Sequence, residues 1–258
     1  MSPLDRARLE KALNDHGFDL TPTMEGDWLV GRSTQHPIEA RLFQHKDGAI
    51  ALSADDPTLA AAMARDEGLK MLKSPAGPGW QIHCPDFESF HRILGRFAAL
   101  ARSLPNRVAE RFAKATVDLP KSTEAERLVI QRVGQNLFRD ALVDYWQGRC
   151  AMTGLELTPL LRASHIKPWA ACENDEERLD VFNGLLLAPQ LDALFDGGWI
   201  TFLDDGTMVP CSELNLDHMR LLGVHLDMRL DGLTDRHRQY MAYHRSTVFR
   251  GGRDTITA

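Results

Sequence analysis

A histidine, an amide and two carboxylates stand close together in the C-terminal half of the chain. His165 is followed by Asn183 after 18 residues, by Asp192 after a further 9 and by Asp196 after another 4. An imidazole can act as a general base near neutral pH, and an amide can orient it. Carboxylate oxygens are ligands for a hard divalent cation. The set therefore contains the parts that a metal-dependent phosphodiesterase needs.

Short elements must hold these four residues in place. The sequence pattern predicts a strand over 160–166 that ends near the histidine, and a second strand over 184–187. A helix is predicted over 189–195. Asp192 and Asp196 lie one helical turn apart, so both carboxylates share one face of that helix.

A long helix is predicted before these elements, and a β-hairpin over 199–210 after them. Ser122 or Thr123 can cap the helix, which runs to Trp146. Its apolar positions are predicted to form one stripe towards the core. This stripe consists of Leu128, Val129, Val133, Leu137, Leu142 and Val143.

Five segments carry a resemblance to a known family. They are GQNLFR at 134–139, GRCAMTG at 148–154, SHIKPW at 164–169, NGLLL at 183–187 and LDALFD at 191–196. In this order and spacing they resemble the HNH endonucleases, in particular a branch with restriction-type enzymes, over about residues 122–205. The resemblance implies a ββα-metal fold for this region, built of two strands and a helix.

The resemblance also implies a role for each residue of the set. His165 would take a proton from the water that attacks phosphorus, and Asn183 would tie down the loop and orient His165. Asp192 stands where the family usually has its last histidine. Together with Asp196 it would hold one Mg²⁺ or Mn²⁺, which neutralises a phosphate oxygen and helps the leaving oxygen depart.

Two departures from the family pattern bear on metal binding. Ser164 precedes the histidine at a position where the family often has an acidic or histidine ligand, so the number of protein ligands stays open. Many HNH proteins also carry paired cysteines around a structural zinc. Here Cys150 stands alone, with Thr153 and Ala188 at the partner positions. We therefore expect no structural zinc.

Several side chains are candidates for contact with DNA. Arg162 and Lys167 flank the histidine and could contact phosphate, although a solvated role is equally open. Arg245 belongs to an arginine-rich C-terminal tail, predicted to be helical, which is either a solvated helix face or a phosphate-contacting surface. Gln135 and Arg139 lie one turn apart on the long helix and either support the fold or touch DNA.

Composition limits the class of protein. The formal charge of −6 argues against a protein that coats nucleic acid through bulk positive charge, but not against a nuclease. No apolar run approaches 20 residues, so no membrane span is expected. The four cysteines are widely spaced without a C-x-x-C pair, which favours a reduced, cytoplasmic protein.

The order of the elements predicts an α+β protein of two domains. A small α+β domain covers residues 1–104, a linker covers 105–121, and the nuclease domain covers 122–258. In the N-terminal domain, Trp28 and Phe43 are candidates for stacking on a flipped base or, more simply, for packing in the core. Trp80 has the same two interpretations.

Two functions from different classes follow. The first is a metal-dependent endonuclease that cleaves double-stranded DNA, and a restriction enzyme, with or without dependence on base modification, is one form of it. The N-terminal domain would then recognise the target or form a homodimer. The second is an inactive HNH scaffold that binds nucleic acid or protein, and Ser164 is its best support.

Overall fold

The chain folds into two compact units that meet in sequence at Arg102 and Ser103. The structure is a computed structural model and describes residues 2–66, 71–73, 79–120 and 123–251. Both units combine helices with sheets, which confirms the α+β class. Within the described part of the chain, no helix is both long and apolar enough to cross a membrane.

The described N-terminal unit is an antiparallel sheet with three helices. Its elements are α1 (Pro3–Asp15), β1 (Leu20–Glu25), β2 (Trp28–Arg32), β3 (Ala40–Gln44), β4 (Ile50–Ala54), α2 (Pro57–Asp66), β5 (Met71–Lys73), β6 (Trp80–Cys84) and α3 (Phe87–Ser103). The strand order is β1-β2-β3-β4-β6-β5.

One row of apolar side chains crosses four strands of this sheet and forms the centre of its core. Leu29, Leu42, Leu52 and Ile82 are direct cross-strand partners and are at most 1% exposed. On β2, Gly31 lets α1 approach, because a Cβ there would lie 2.5 Å from the Leu13 side chain.

Of the aromatic side chains predicted for base stacking or core packing, Trp28 and Phe43 lie on the other face of the strands, whereas Trp80 shares the face of Ile82, two residues further along β6. Trp28 and Phe43 are cross-strand neighbours with ring centroids 5.5 Å apart, and both are half-buried. Trp80, at the start of β6, is also half-buried. Such a pair stabilises a sheet through cross-strand contact, and the base-stacking interpretation stays a prediction.

The C-terminal unit begins with two helices and continues with short elements. They are α4 (Pro105–Thr116), α5 (Glu124–Tyr145), β7 (Arg162–His165), α6 (Asp175–Arg178), β8 (Gly184–Leu187), α7 (Pro189–Asp196), β9 (Ile200–Phe202), β10 (Met208–Pro210), α8 (Leu216–Leu221) and α9 (Asp235–Tyr243), followed by a π-helical turn (His244–Val248).

The region predicted as a linker differs from that expectation. Residues 105–116 form α4, which packs against α5 and α6 and so belongs to the C-terminal unit. Phe112 is buried there. Both Phe112 and Trp169 pack against Gly134 of α5, where a Cβ would lie 3.2 Å and 2.7 Å from their rings. Two of the predicted cap and linker residues, 121 and 122, lie outside the described residues, and Thr123 caps α5 in a capping box with Glu126.

A ββα unit forms the centre of the C-terminal unit. β7 and β8 pair antiparallel, with His165 opposite Gly184, and α7 follows at once and packs against β7. All four residues of β8 are buried. α5 lies close to this hairpin because Gly184 has no side chain: a Cβ would lie 2.5 Å from Phe138 and 2.8 Å from Leu142.

The buried face of α5 differs from the predicted stripe. It consists of Gly134, Phe138, Ala141, Leu142 and Tyr145. Leu128 and Val129, which were predicted to point to the core, are 52% and 50% exposed. The prediction was wrong for these two residues because they lie in the first turns, before the helix reaches the hairpin.

Candidate active site

His165 ends β7 and is held on three sides. Its ring stacks on Phe138 of α5 with centroids 3.9 Å apart and an interplanar angle of 17°. The edge of the ring meets Trp169 at 5.5 Å and 87°. On the third side, Nε2 lies 2.8 Å from the backbone oxygen of Arg178. The ring is therefore fixed in both position and rotation.

The contact with Arg178 determines the tautomer of His165. A carbonyl oxygen only accepts hydrogen bonds, so Nε2 carries the proton and donates it, and Nδ1 is the acceptor of the neutral ring. Burial lowers the pKa of His165 to about 4, against the opposing effects of the Arg178 carbonyl and the Asp196 carboxylate. The ring is thus neutral at pH 7, with Nδ1 available as a base.

Asn183 lies fully buried between the two ends of the loop that joins β7 to β8. Its Oδ1 accepts a hydrogen bond from the backbone N–H of Lys167 at 2.8 Å. Its Nδ2 donates to the backbone oxygens of Lys167 at 3.2 Å and Glu177 at 3.1 Å, and lies 3.4 Å from the sulfur of Cys172. One amide therefore fastens the start of the loop to the segment that carries Arg178.

The two carboxylates lie on α7, as their spacing predicts. Asp192 is half-buried and Asp196 is exposed. Burial is the main cause of the raised pKa of Asp192; Asp196 adds to it, and Ser164 and Arg162 oppose it. The Asp196 carboxylate also raises the pKa of His165, against the larger effect of burial. The structure thus brings the histidine and both carboxylates into one electrostatic neighbourhood.

Ser164 faces this neighbourhood from β7. Its hydroxyl is buried and makes no hydrogen bond of regular geometry among the described residues, although it lies near enough to Asp192 to lower the pKa of that carboxyl. Across the described ranges, no group of three or more His, Cys, Asp or Glu side chains is arranged to hold a metal ion. Asp192 and Asp196 therefore offer at most two carboxylate ligands.

Comparison with known families identifies the segment that contains this site. A sequence model of the HNH endonuclease family matches residues 150–203, which include His165, Asn183 and both carboxylates. The chain carries an HNH endonuclease domain. No curated protein gives a significant match to the chain.

The three cations predicted to contact DNA lie in different environments of the C-terminal unit. Arg162 is exposed on β7. Lys167 is only 13% exposed and forms a 2.7 Å ion pair with Glu177. Arg245 is 16% exposed; it donates to the backbone oxygen of Phe202 at 2.9 Å and pairs with Asp204. Of the three, only Arg162 has a guanidinium or ammonium group that is not already bonded within the described fold.

Arg139 supports the HNH domain from within. Its guanidinium donates to the backbone oxygens of Leu161 at 2.6 Å and Thr158 at 3.0 Å, just before β7. Of the two roles open from the sequence, the structure thus gives Arg139 the supporting one. Gln135 is exposed one turn earlier.

Cys150 is buried in the turn before β7. Its sulfur accepts a hydrogen bond from the backbone N–H of Ala188 at 3.3 Å. The backbone N–H of Ala151 donates to Leu186 of β8 at 2.8 Å. These bonds join the turn before β7 to the hairpin. That the domain holds no structural zinc stays a prediction.

The C-terminal tail stabilises the helix that carries the carboxylates. His244, to which the sequence assigned no chemistry, stacks on Phe195 of α7 at 3.9 Å and 5°. Its Nε2 donates to the backbone oxygen of Phe195 at 3.0 Å, and its Nδ1 lies 2.9 Å from the hydroxyl of Thr201. Arg250 donates to Gly197 at 2.8 Å. The tail is therefore partly packed, while Arg236 and Arg238 are exposed on α9, and the choice between a solvated and a phosphate-contacting role for that face stays a prediction; Arg253 lies outside the described residues.

Three contributors to the site escaped the sequence analysis. Phe138 and Arg178 contact His165 directly, and His244 supports α7. Phe138 carried a signal, because its spacing of four residues from Gly134 and Leu142 marks one helix face. Arg178 carried none, since its contact with His165 is made by a backbone oxygen that every residue has.

Proposed function

We propose that the chain is a metal-dependent DNA endonuclease in which His165 takes the proton of the attacking water through Nδ1. The hydrogen bond from Nε2 to the Arg178 oxygen carries this proposal. It commits one ring nitrogen to donation and leaves the other as a base. Asn183 supports the arrangement by fastening the loop on which Arg178 lies.

The electrostatics of the site suit a base that must be neutral before the reaction and charged after it. Burial keeps His165 unprotonated at neutral pH. The proton that arrives on Nδ1 is then stabilised by the Arg178 carbonyl on the opposite nitrogen and by the negative charge of Asp196.

The donor set fits a hard divalent cation. The negative charge of Asp196 raises the pKa of Asp192, and the buried Ser164 hydroxyl next to Asp192 lacks a regular hydrogen bond. A small cation beside these oxygens would relieve both conditions, and Mg²⁺ or Mn²⁺ binds through few carboxylates while it keeps several waters. Such an ion would supply neutralisation of charge on the phosphate oxygens.

Nicking of supercoiled plasmid tests the proposal. We expect cleavage in Mg²⁺ or Mn²⁺ and its loss in EDTA. His165→Ala should lower the rate by ~10²–10⁴-fold, the usual contribution of a general base. His218→Ala is the matched control, because His218 is exposed on α8, outside the site. Equal activity of the two variants would refute the role of His165.

A second function also has specific support. In it, the chain is an inactive HNH scaffold that binds nucleic acid. Ser164 replaces a common ligand, and the described residues lack a three-ligand metal group. Under this alternative, the wild-type protein would bind DNA equally well in EDTA and in Mg²⁺ and would cleave none. Binding by gel shift and nicking in the same buffers separate the two functions.

We further propose that the enzyme belongs to the restriction-type branch and that the N-terminal unit selects the target. The five matching segments support the branch, and an HNH domain reads little sequence by itself. Cleavage of phage DNA with and without modified bases tests this role. A preference for one of the two would support it, and equal cleavage of both with no preferred sequence would argue against it.

A further inference from the structure

We propose that Arg178 is a positioning residue that sets His165 from two sides, with its backbone oxygen and with its guanidinium. The backbone oxygen accepts the hydrogen bond from the imidazole, and the side chain fastens the turn that carries Trp169. The proposal rests on the general-base role of His165 proposed above. Only the backbone of Arg178 touches His165, yet the proposal requires an arginine at this position, because its guanidinium fastens the loop.

The first half of the argument concerns the end of α6. The last carbonyls of any helix lack partners within the helix and need them elsewhere. In α6, the backbone oxygens of Glu177 and Arg178 accept hydrogen bonds from the side chains of Asn183 and His165. Asn183 Nδ2 donates to Glu177 at 3.1 Å, and His165 Nε2 donates to Arg178 at 2.8 Å. The end of this one-turn helix is thus built into the site.

The second half concerns the guanidinium of Arg178. Its Nη2 donates to the backbone oxygen of Cys172 at 2.7 Å, and its Nε lies 3.4 Å from the backbone oxygen of Trp169. Its Nη1 pairs with Asp175 at 2.9 Å. The side chain is 24% exposed. A planar guanidinium can reach several acceptors at fixed angles, which an ammonium group cannot do.

The Arg178 backbone oxygen and the Arg178 guanidinium both affect the position of the His165 imidazole. Of its three contacts, Phe138 lies on α5, whereas Trp169 and Arg178 both lie in the loop between β7 and β8 that the guanidinium fastens. Removal of the guanidinium leaves the Cys172 oxygen without this donor and releases the turn. His165 would then keep only its stacked face and could rotate about it. A misplacement of ~1 Å at a reacting group costs about 10²-fold in rate.

Four variants test the proposal. We expect Arg178→Ala to lower the single-turnover rate of plasmid nicking by about 10²-fold with unchanged DNA affinity, and guanidine in the buffer to restore part of the rate. Arg178→Lys should remain impaired, because it keeps the charge but loses the planar group. Asp175→Asn removes only the outer ion pair, and Arg238→Ala removes an exposed guanidinium that pairs with Asp235. Both controls should retain the wild-type rate.

A readout without activity accompanies these rates. In metal-free protein labelled with ¹⁵N at histidine, a hydrogen-bonded Nε2–H of His165 should give a protected ¹H–¹⁵N resonance. We expect that resonance in wild type and in both controls, and its loss through exchange with water in Arg178→Ala and Arg178→Lys. If Arg178→Ala fails to fold, Arg178→Lys decides by the same two measurements.

Two outcomes would overturn the positioning role. One is a wild-type rate in Arg178→Lys, which would show that charge alone suffices. The other is a persistent Nε2–H resonance in a folded Arg178 variant. An inactive wild-type protein would instead refute the proposed endonuclease function. The resonance would still test whether Arg178 holds His165, so the two failures are distinguishable.

Discussion

Asn183→Asp is the most informative single substitution in the HNH domain, because it changes hydrogen bonding without changing shape. Oδ1 can still accept from the Lys167 N–H, but the NH₂ group becomes an oxygen. That oxygen would face the backbone oxygens of Lys167 and Glu177, which Asn183 now binds at 3.2 Å and 3.1 Å. Two attractive contacts become repulsive in a fully buried place.

The magnitude follows from these contacts. Two lost hydrogen bonds account for ~1–3 kcal/mol of the free energy of unfolding. The carboxylate also stands buried without a cation, and breaking a buried polar network in this way typically costs ~3–5 kcal/mol in total. The segment that carries Arg178 would lose its link to Asn183 and move relative to His165, so we expect nicking to fall about 10²-fold.

The effect should depend on pH in a defined direction. Burial and the two carbonyls raise the pKa of a carboxyl at position 183 above its unfolded value of ~3.9. The folded state then binds the proton more tightly, so the destabilisation is largest above the raised pKa and shrinks as the pH falls towards the unfolded value. A protonated carboxyl can donate one of the two lost bonds.

Urea unfolding followed by circular dichroism at pH 8 and pH 5 measures this effect. The matched control is Asn174→Asp, which caps the exposed start of α6 through Oδ1, a role that aspartate fills equally well. We expect the control to have near wild-type stability at both pH values. Equal stability of the two variants, or a loss at position 183 that does not change with pH, would refute the assignment of Asn183 as the donor that closes the loop.

Three further predictions concern other parts of the HNH domain. Gly184→Ala places a Cβ 2.5 Å from Phe138; we expect ~1–3 kcal/mol of destabilisation by overpacking, and wild-type unfolding in urea would contradict it. Burial lowers the pKa of His244 from 6.5 to about 4; its protonation should therefore make unfolding easier by ~3 kcal/mol as the pH falls from 6.5 to 4, and His244→Gln should lose this part of the pH dependence and keep the part that His165 contributes over the same range. Arg162→Gln should weaken DNA binding and reduce the salt slope by about 1, whereas Arg245→Gln should lower stability and leave the slope unchanged.

The ββα region shows how far local pattern reaches. The strands, α7 and the hairpin β9–β10 form near the predicted positions because each is short and bounded by turn-forming residues. The same holds for the shared face of Asp192 and Asp196, which follows from helix geometry alone. These features depend on neighbours in sequence, so the sequence was sufficient to predict them.

The helices before and after this region show where local pattern fails. α4 was predicted as a linker because its residues are charged and mixed, yet it packs on α5 and α6, with Phe112 buried beside Gly134 of α5. The apolar stripe of α5 was partly wrong, because Leu128 and Val129 have apolar side chains but no core beside them. In both cases the deciding contact comes from a distant segment.

The amino-acid sequence by itself indicated the HNH endonuclease family and the α+β class and singled out His165, Asn183, Asp192 and Asp196 as candidates, because residue type and spacing are local properties. Only the tertiary structure decided which nitrogen of His165 is free, since that depends on the Arg178 oxygen, 13 residues away. It likewise placed Lys167 and Arg245 in ion pairs. The availability of a charge or a proton depends on which partners the fold brings near, and spacing along the chain does not contain that information.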